Sequence, residues 1–225
     1  IVVIFLIISR KIADPYKRAV IISRELEKKV DERTRELNEK NESIMDSIEY
    51  AKLLQESILP LEEELNAVFD GYFAIWRPRD IVGGDFYSFY KTGSGYLLIV
   101  GDCTGHGVPG AFMTMAANSM IRHIIDEICN NDPARILMEL NRLLKNTLKS
   151  KSRRREITDD GLSAGIIYIS TDGTVLYAGA GISLYVKGRM GIETVEGERT
   201  GIGYRTTDDA YRYNNKKIMP EPGQT

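Results

Sequence analysis

The sequence predicts an α+β domain built on antiparallel sheets and preceded by a long, charged helix. Three observations predict it. No glycine or proline interrupts Tyr16 to Leu59, downstream apolar strand patterns come in bunches, and only two helical patterns lie between the bunches. Bunched strands favour antiparallel sheets, whereas a doubly wound parallel sheet needs strands alternating with helices.

Between Arg24 and Glu42, thirteen of nineteen residues are charged, which marks an exposed helix. Acid precedes base by four positions at Glu25/Lys29, Asp31/Arg35 and Glu36/Lys40, an arrangement that supports a helix by a few tenths of a kcal/mol per pair. Val30, Leu37, Ile44, Ala51 and Ile58 recur every seven residues, and the second seam position runs through Thr34, Asn41, Ile48 and Gln55. A half-polar heptad seam of this kind predicts a two-stranded parallel coil of limited stability, a homodimer through residues 24–58. Past Ile44 the apolar residues thicken, and there a helix resting on its own domain is the competing reading. Pro60 ends the helix, because it cannot join the hydrogen-bond ladder and restricts the residue before it.

Beyond Pro60 the pattern reads as strands at about 68–76, 85–90 and 96–101, then a helix at about 109–129. A second helix opens with NDPARILMELNRLLKNTL, a basic loop KSKSRRRE follows, and strands come at about 161–170, 174–180 and 182–187 before weaker strand signals. The domain organisation expected is residues 1–9, the end of a transmembrane helix; 10–59, a helical linker; and 60–225, a globular catalytic domain.

With 225 residues, 43% apolar and 28% charged, the composition is that of a globular chain able to bury a core. Thirty basic against thirty-two acidic residues argue against a nucleic-acid partner, which requires a concentrated basic surface. Two cysteines, Cys103 and Cys129, form no disulfide framework and fit a reducing compartment. The apolar run IVVIFLII is too short to cross a bilayer alone, since a helix needs about 20 residues. The Arg10-Lys11 pair behind it matches a cytoplasmic flank. The expectation is therefore a membrane-attached protein whose globular domain lies in the cytoplasm, with a short buried strand as the competing reading of the run.

Two carboxylates stand beside glycines at strand ends: Asp85 in IVGGDFY and Asp102 in VGDCTGHG. Glycine there lets backbone approach a ligand closely. If the two strands are neighbours, both carboxylates reach one sheet edge. Oxygen ligands suit Mg²⁺ and Mn²⁺, and two such ions about 3.5–4 Å apart suit phosphoester hydrolysis. Each aspartate could equally cap a turn. A phosphate-binding P-loop is excluded, because the glycine run ends Gly107-Val108-Pro109-Gly110 rather than Gly-Lys-Ser/Thr. No nucleophile elbow accompanies the two histidines, His106 and His123, and His123 reads as a helix-surface or packing residue.

The stretches LQESILP, RPRDIVGGDFYSFY, YLLIVGDCTGHGVPGAFMTMAAN and LYAGAGISLYV, in that order behind a charged linker, resemble the SpoIIE/RsbU-type branch of the PPM metal-dependent serine/threonine phosphatases. The resemblance implies an α-β-β-α sandwich holding two Mn²⁺ or Mg²⁺ ions at one edge of the stacked sheets. It implies that Asp85 ligates one ion, that Asp102 bridges both and that the backbone carbonyl of Cys103 adds an oxygen. Activated water then attacks phosphorus in line without a covalent phosphoenzyme. Arg79 is the first candidate for gripping the phosphoryl oxygens and Arg77 the second, while His106 either gives a proton to the leaving alkoxide or only shapes its loop. The expected substrate is a phosphoprotein, by resemblance an anti-sigma-factor antagonist.

The family's later acidic motif, a Thr/Ser-Asp-Gly after a further strand, has no clear counterpart. Thr171-Asp172-Gly173 reads as a hairpin turn, and Asp159 and Asp160 read first as turn or cap residues. The expectation is half of a binuclear centre, with weak or no activity until a C-terminal segment completes it. The alternative from another class is an inactive dimeric scaffold with a degenerate phosphatase fold.

Overall fold

The computed structural model describes residues 2–128, 131–150, 159–188 and 191–219, with side chains described from residue 15 onward except at 149–150. Cys129 and most of the basic loop, 151–156, lie outside the described residues. The chain divides into two compact units, residues 1–47 and 48–225.

The first unit is helix throughout its described residues, part of α1 (Val2–Glu56), which carries Pro15 inside it. Of the expected ion pairs Glu36–Lys40 forms at 3.0 Å, and Arg33 adds a second contact to Glu36 at 2.6 Å. Both cations hold the Glu36 carboxyl below its ordinary range, Lys40 more than Arg33. Among the described residues no helix is long and apolar enough to cross a membrane, which overturns the expected membrane-anchored localisation and the membrane contact through the N-terminal helix. The apolar run is eight residues, and Arg10, Lys11, Lys17 and Arg18 follow before any further apolar length accumulates.

In the second unit α1 tightens before Pro60. Ile58 N–H donates to the Gln55 carbonyl at 3.3 Å and Leu59 N–H to the Glu56 carbonyl at 3.2 Å, three-residue spacings that close the last turn. A one-turn helix, α2 (Glu62–Asn66), follows. The strand expected at 68–76 does not form: residues 72–78 carry no ladder, and Phe73 and Ile75 stand 88% and 78% exposed. Alternating apolar residues make a strand only where a neighbouring edge accepts their backbone, and no described strand pairs with this segment, although Trp76 Nε1 donates to the Asp85 carbonyl of β1 at 2.9 Å.

The remaining elements follow the expected order: β1 (Asp85–Thr92), β2 (Gly95–Cys103), α3 (Gly107–Glu127), α4 (Pro133–Ser150), β3 (Leu162–Ser170), β4 (Val175–Ala180), β5 (Leu184–Gly188), β6 (Gly191–Val195) and β7 (Lys216–Ile218). β1-β2-β3-β4-β7 form one antiparallel sheet in that spatial order, and β5-β6 form a separate antiparallel hairpin. The class is α+β with antiparallel sheets flanked by helices, as expected.

Alternation along β2 sets the two faces of the sheet. Leu97, Ile99 and Cys103 are buried among α3 and α4 residues such as Ile121, Ile124, Leu137 and Leu140, whereas Leu98, Val100 and Asp102 point the other way. The α4 stripe Ile136, Leu137, Leu140 and Leu144 has helical spacing and is fully enclosed. Asn141 on the same helix donates to the Asp208 carbonyl and accepts the Gly203 N–H, both at 2.9 Å, and so ties residues 201–209 to the core.

Candidate metal centre

β1 opens at Asp85 and pairs antiparallel with β2 so that Asp85 stands directly opposite Asp102. Phe86 and Ser88 of β1 are buried on the helical side, so by period-two alternation Asp85 shares with Asp102 the face away from the helices. Two like charges opposed across a ladder repel. Partial loss of water, then the Asp85 charge and a hydrogen bond to Asp85, hold the Asp102 carboxyl above its ordinary range. Neither carboxylate makes an ion pair among the described residues.

The glycines around the pair serve close packing. A Cβ on Gly84 would lie 2.5 Å from the Cys103 carbonyl oxygen and 2.9 Å from that of Gly105, so only glycine lets the Asp85 turn pass beneath the Asp102–Gly105 loop. Gly105 itself has φ +93°, a left-handed conformation that glycine adopts freely. Cys103 N–H donates to the Gly84 carbonyl at 3.1 Å, which joins the two loops. The Cys103 thiol faces the core, and burial pushes it up to about 12.

His106 forms the N-cap position of α3, and its Nδ1 lies 2.7 Å from Asp80 Oδ2. Arg77 and both carboxylates border an apolar groove of ≈ 480 Å³, and Arg79 does not line it. His123 is exposed on α3, as expected. Asp172 accepts the Thr174 N–H at 2.8 Å beside Gly173 at φ +85°, so it is a hairpin-turn residue. Asp159 accepts the Arg205 N–H at 2.8 Å. Among the described residues no group of three or more His, Cys, Asp and Glu side chains comes together as a metal site; the oxygen donors in place are the Asp85–Asp102 pair and the neighbouring carbonyls.

Three contributors escaped sequence reasoning. Asp80 is 26 positions from His106, and nothing local marks the pairing. Tyr204 feels the charges of Asp102 and Asp159, which add to burial in raising its hydroxyl above the ordinary phenol range. Gln55, read as a polar seam position of the coil, is instead fully buried in its own domain; its one local signal is a polar residue amid the denser apolar positions after Ile44.

A family model described as Stage II sporulation protein E (SpoIIE) matches residues 92–215, more than half of the chain. The chain belongs to the SpoIIE family. The SpoIIE match includes Asp102 and begins just after Asp85. The SiaA-PP2C domain of Pseudomonas aeruginosa is 36% identical with a TM-score of 0.68, over 82% of this chain and 70% of that one. A serine/threonine phosphatase of S. agalactiae, 11% identical with a TM-score of 0.50 over 66% of this chain and 72% of that one, shows likeness of fold alone. No curated protein matches the sequence. Family and fold of this SpoIIE-type chain are thus those of PP2C-type phosphatase domains.

Proposed function

We propose that the chain removes phosphate from phosphoserine or phosphothreonine of a protein substrate, using two divalent cations, Mn²⁺ or Mg²⁺, held at Asp85 and Asp102. The observation that supports this most is the opposed carboxylate pair on the sheet face turned away from α3 and α4. Two adjacent acids without a basic partner are costly unless a cation joins them, and an all-oxygen donor set suits a hard divalent ion. The donors present fit such an ion: two carboxylates, with the Cys103 carbonyl packed against Gly84 beside them.

When bound, the cations lower the pKa of water toward neutrality and neutralise phosphoryl charge. The remaining roles fall to side chains. Arg77, which lines the groove that the acid pair also borders, would fork onto phosphoryl oxygens, with Arg79 the alternative. His106, with Nδ1 turned to Asp80, is left with Nε2 as the nitrogen that exchanges a proton with the departing hydroxyl. The substrate class implied by resemblance is a phosphorylated anti-sigma-factor antagonist. Along α1, Val30, Leu37 and Ile44 are exposed at heptad spacing and would seat a second copy of the helix. Gln55 is enclosed by its own chain, so the coil ends before it.

The test is calorimetric titration with Mn²⁺, together with phosphate release from a phosphoserine peptide and from a nucleotide. Mn²⁺ uptake that vanishes in Asp102→Asn is expected, and whatever peptide hydrolysis the unsubstituted chain shows should vanish with it. Unchanged uptake in that variant rejects the assignment of the site, and preference for the nucleotide rejects the substrate class.

A further inference from the structure

Gln55, in the last turns of α1, has 0% exposure. An enclosed amide is tolerated only when its polar groups are paired, and both ends of this one are spent on a single residue. Nε2 donates to the Gly83 carbonyl at 2.6 Å, and Oε1 accepts the Gly83 N–H at 3.1 Å. Thr114 of α3, equally enclosed, donates its hydroxyl to the Gly84 carbonyl at 2.9 Å and lies 3.4 Å from that of Gly83.

Gly83 and Gly84 immediately precede Asp85 and belong to no strand. A glycine pair has more backbone freedom than any other dipeptide and takes one conformation only if outside bonds impose it. Those bonds come from three directions: Gln55 of α1, Thr114 of α3, and Cys103 N–H at the end of β2. We propose that Gln55 and Thr114 are positioning residues that lock the Gly83–Gly84 turn and so keep Asp85 facing Asp102 in a geometry that binds a divalent cation. This rests on the cation site proposed above.

The experiment pairs Mn²⁺ titration with backbone amide exchange at Gly84 and Asp85 in the metal-free chain. Gln55→Met keeps length and helix propensity but removes both bonds, Gln55→Glu keeps the acceptor alone, and Thr114→Val removes one hydroxyl. Leu140→Ala, a core cut in α4, serves as a control of lowered stability. Gln55→Met is expected to weaken Mn²⁺ binding and speed exchange by about tenfold or more, with Gln55→Glu and Thr114→Val between it and the unsubstituted chain. The control is expected to stay within about twofold in Mn²⁺ affinity. Unchanged exchange at residues 84–85 overturns the proposal, as does a control that loses Mn²⁺ affinity as much as Gln55→Met. If the unsubstituted chain takes up no Mn²⁺, the cation site itself fails, and exchange alone then decides whether Gln55 holds the turn. Should Gln55→Met not fold, Gln55→Glu and Thr114→Val carry the same comparison.

Discussion

Asp85 and Asp102 are register partners at the end of the β1–β2 ladder, two acids opposed on the sheet face turned away from α3 and α4. Their repulsion weakens the metal-free fold. Asp102→Asn should therefore raise metal-free stability by a few tenths of a kcal/mol, the scale of an exposed charge pair. In saturating Mn²⁺ the order should reverse, because ligand at about 100 times its dissociation constant stabilises a binding chain by about 2.7 kcal/mol. Urea midpoints with and without Mn²⁺ check both signs, and a variant less stable in both conditions speaks against the repulsion.

Gly84→Ala should be severely disruptive. The added Cβ meets the Cys103 carbonyl at 2.5 Å and the Gly105 carbonyl at 2.9 Å, both backbone atoms that cannot swing aside. A loss of about 1–3 kcal/mol is expected from overpacking, with weaker Mn²⁺ uptake as the loops part. Gly93→Ala, where the new carbon has nothing within 4 Å, is the matched control. Equal midpoints for the two variants would contradict the close packing of the loops.

Tyr177 links stability to alkaline pH. Its hydroxyl donates to the Ile182 carbonyl at 2.6 Å, and burial pushes it up to about 12 from an ordinary 10. Between those values the folded chain keeps a proton that the unfolded chain has lost. This contribution is therefore fully present below pH 10 and drains away as pH rises toward 12. Tyr177→Phe should cost about 1–2 kcal/mol at neutral pH by leaving the Ile182 carbonyl unpaired, and the gap from the unsubstituted protein should narrow across that alkaline window. Denaturation series at stepped pH measure it, and a constant gap would refute the linkage.

Leu37→Asp tests the coil. Leu37 is exposed on α1 midway between Val30 and Ile44, so a charge there should abolish self-association while leaving the domain that begins at residue 48 folded. Sedimentation velocity decides it. A mass unchanged by the substitution removes the dimeric stalk.

Local periodicity made much of the fold legible. α1, α3, α4 and β1 to β5 follow from spacing within short windows, and Asp85, Asp102 and His106 from glycine-flanked motifs next to strands. The stretch 68–76 misled because alternation is necessary for a strand but not sufficient. The membrane expectation failed because an apolar run of eight residues, followed closely by Arg10 and Lys11, gives no described helix the apolar length that crossing a bilayer takes.

Residue order alone settles which segments coil, which extend and where acids and glycines meet, since those preferences act between near neighbours. Which acids face each other, that Gln55 grips a turn 28 positions away, and that Asp80 holds His106 were decided only on folding. Strand register and helix packing bring such groups within hydrogen-bond reach, and both depend on how the whole core closes rather than on any stretch of chain.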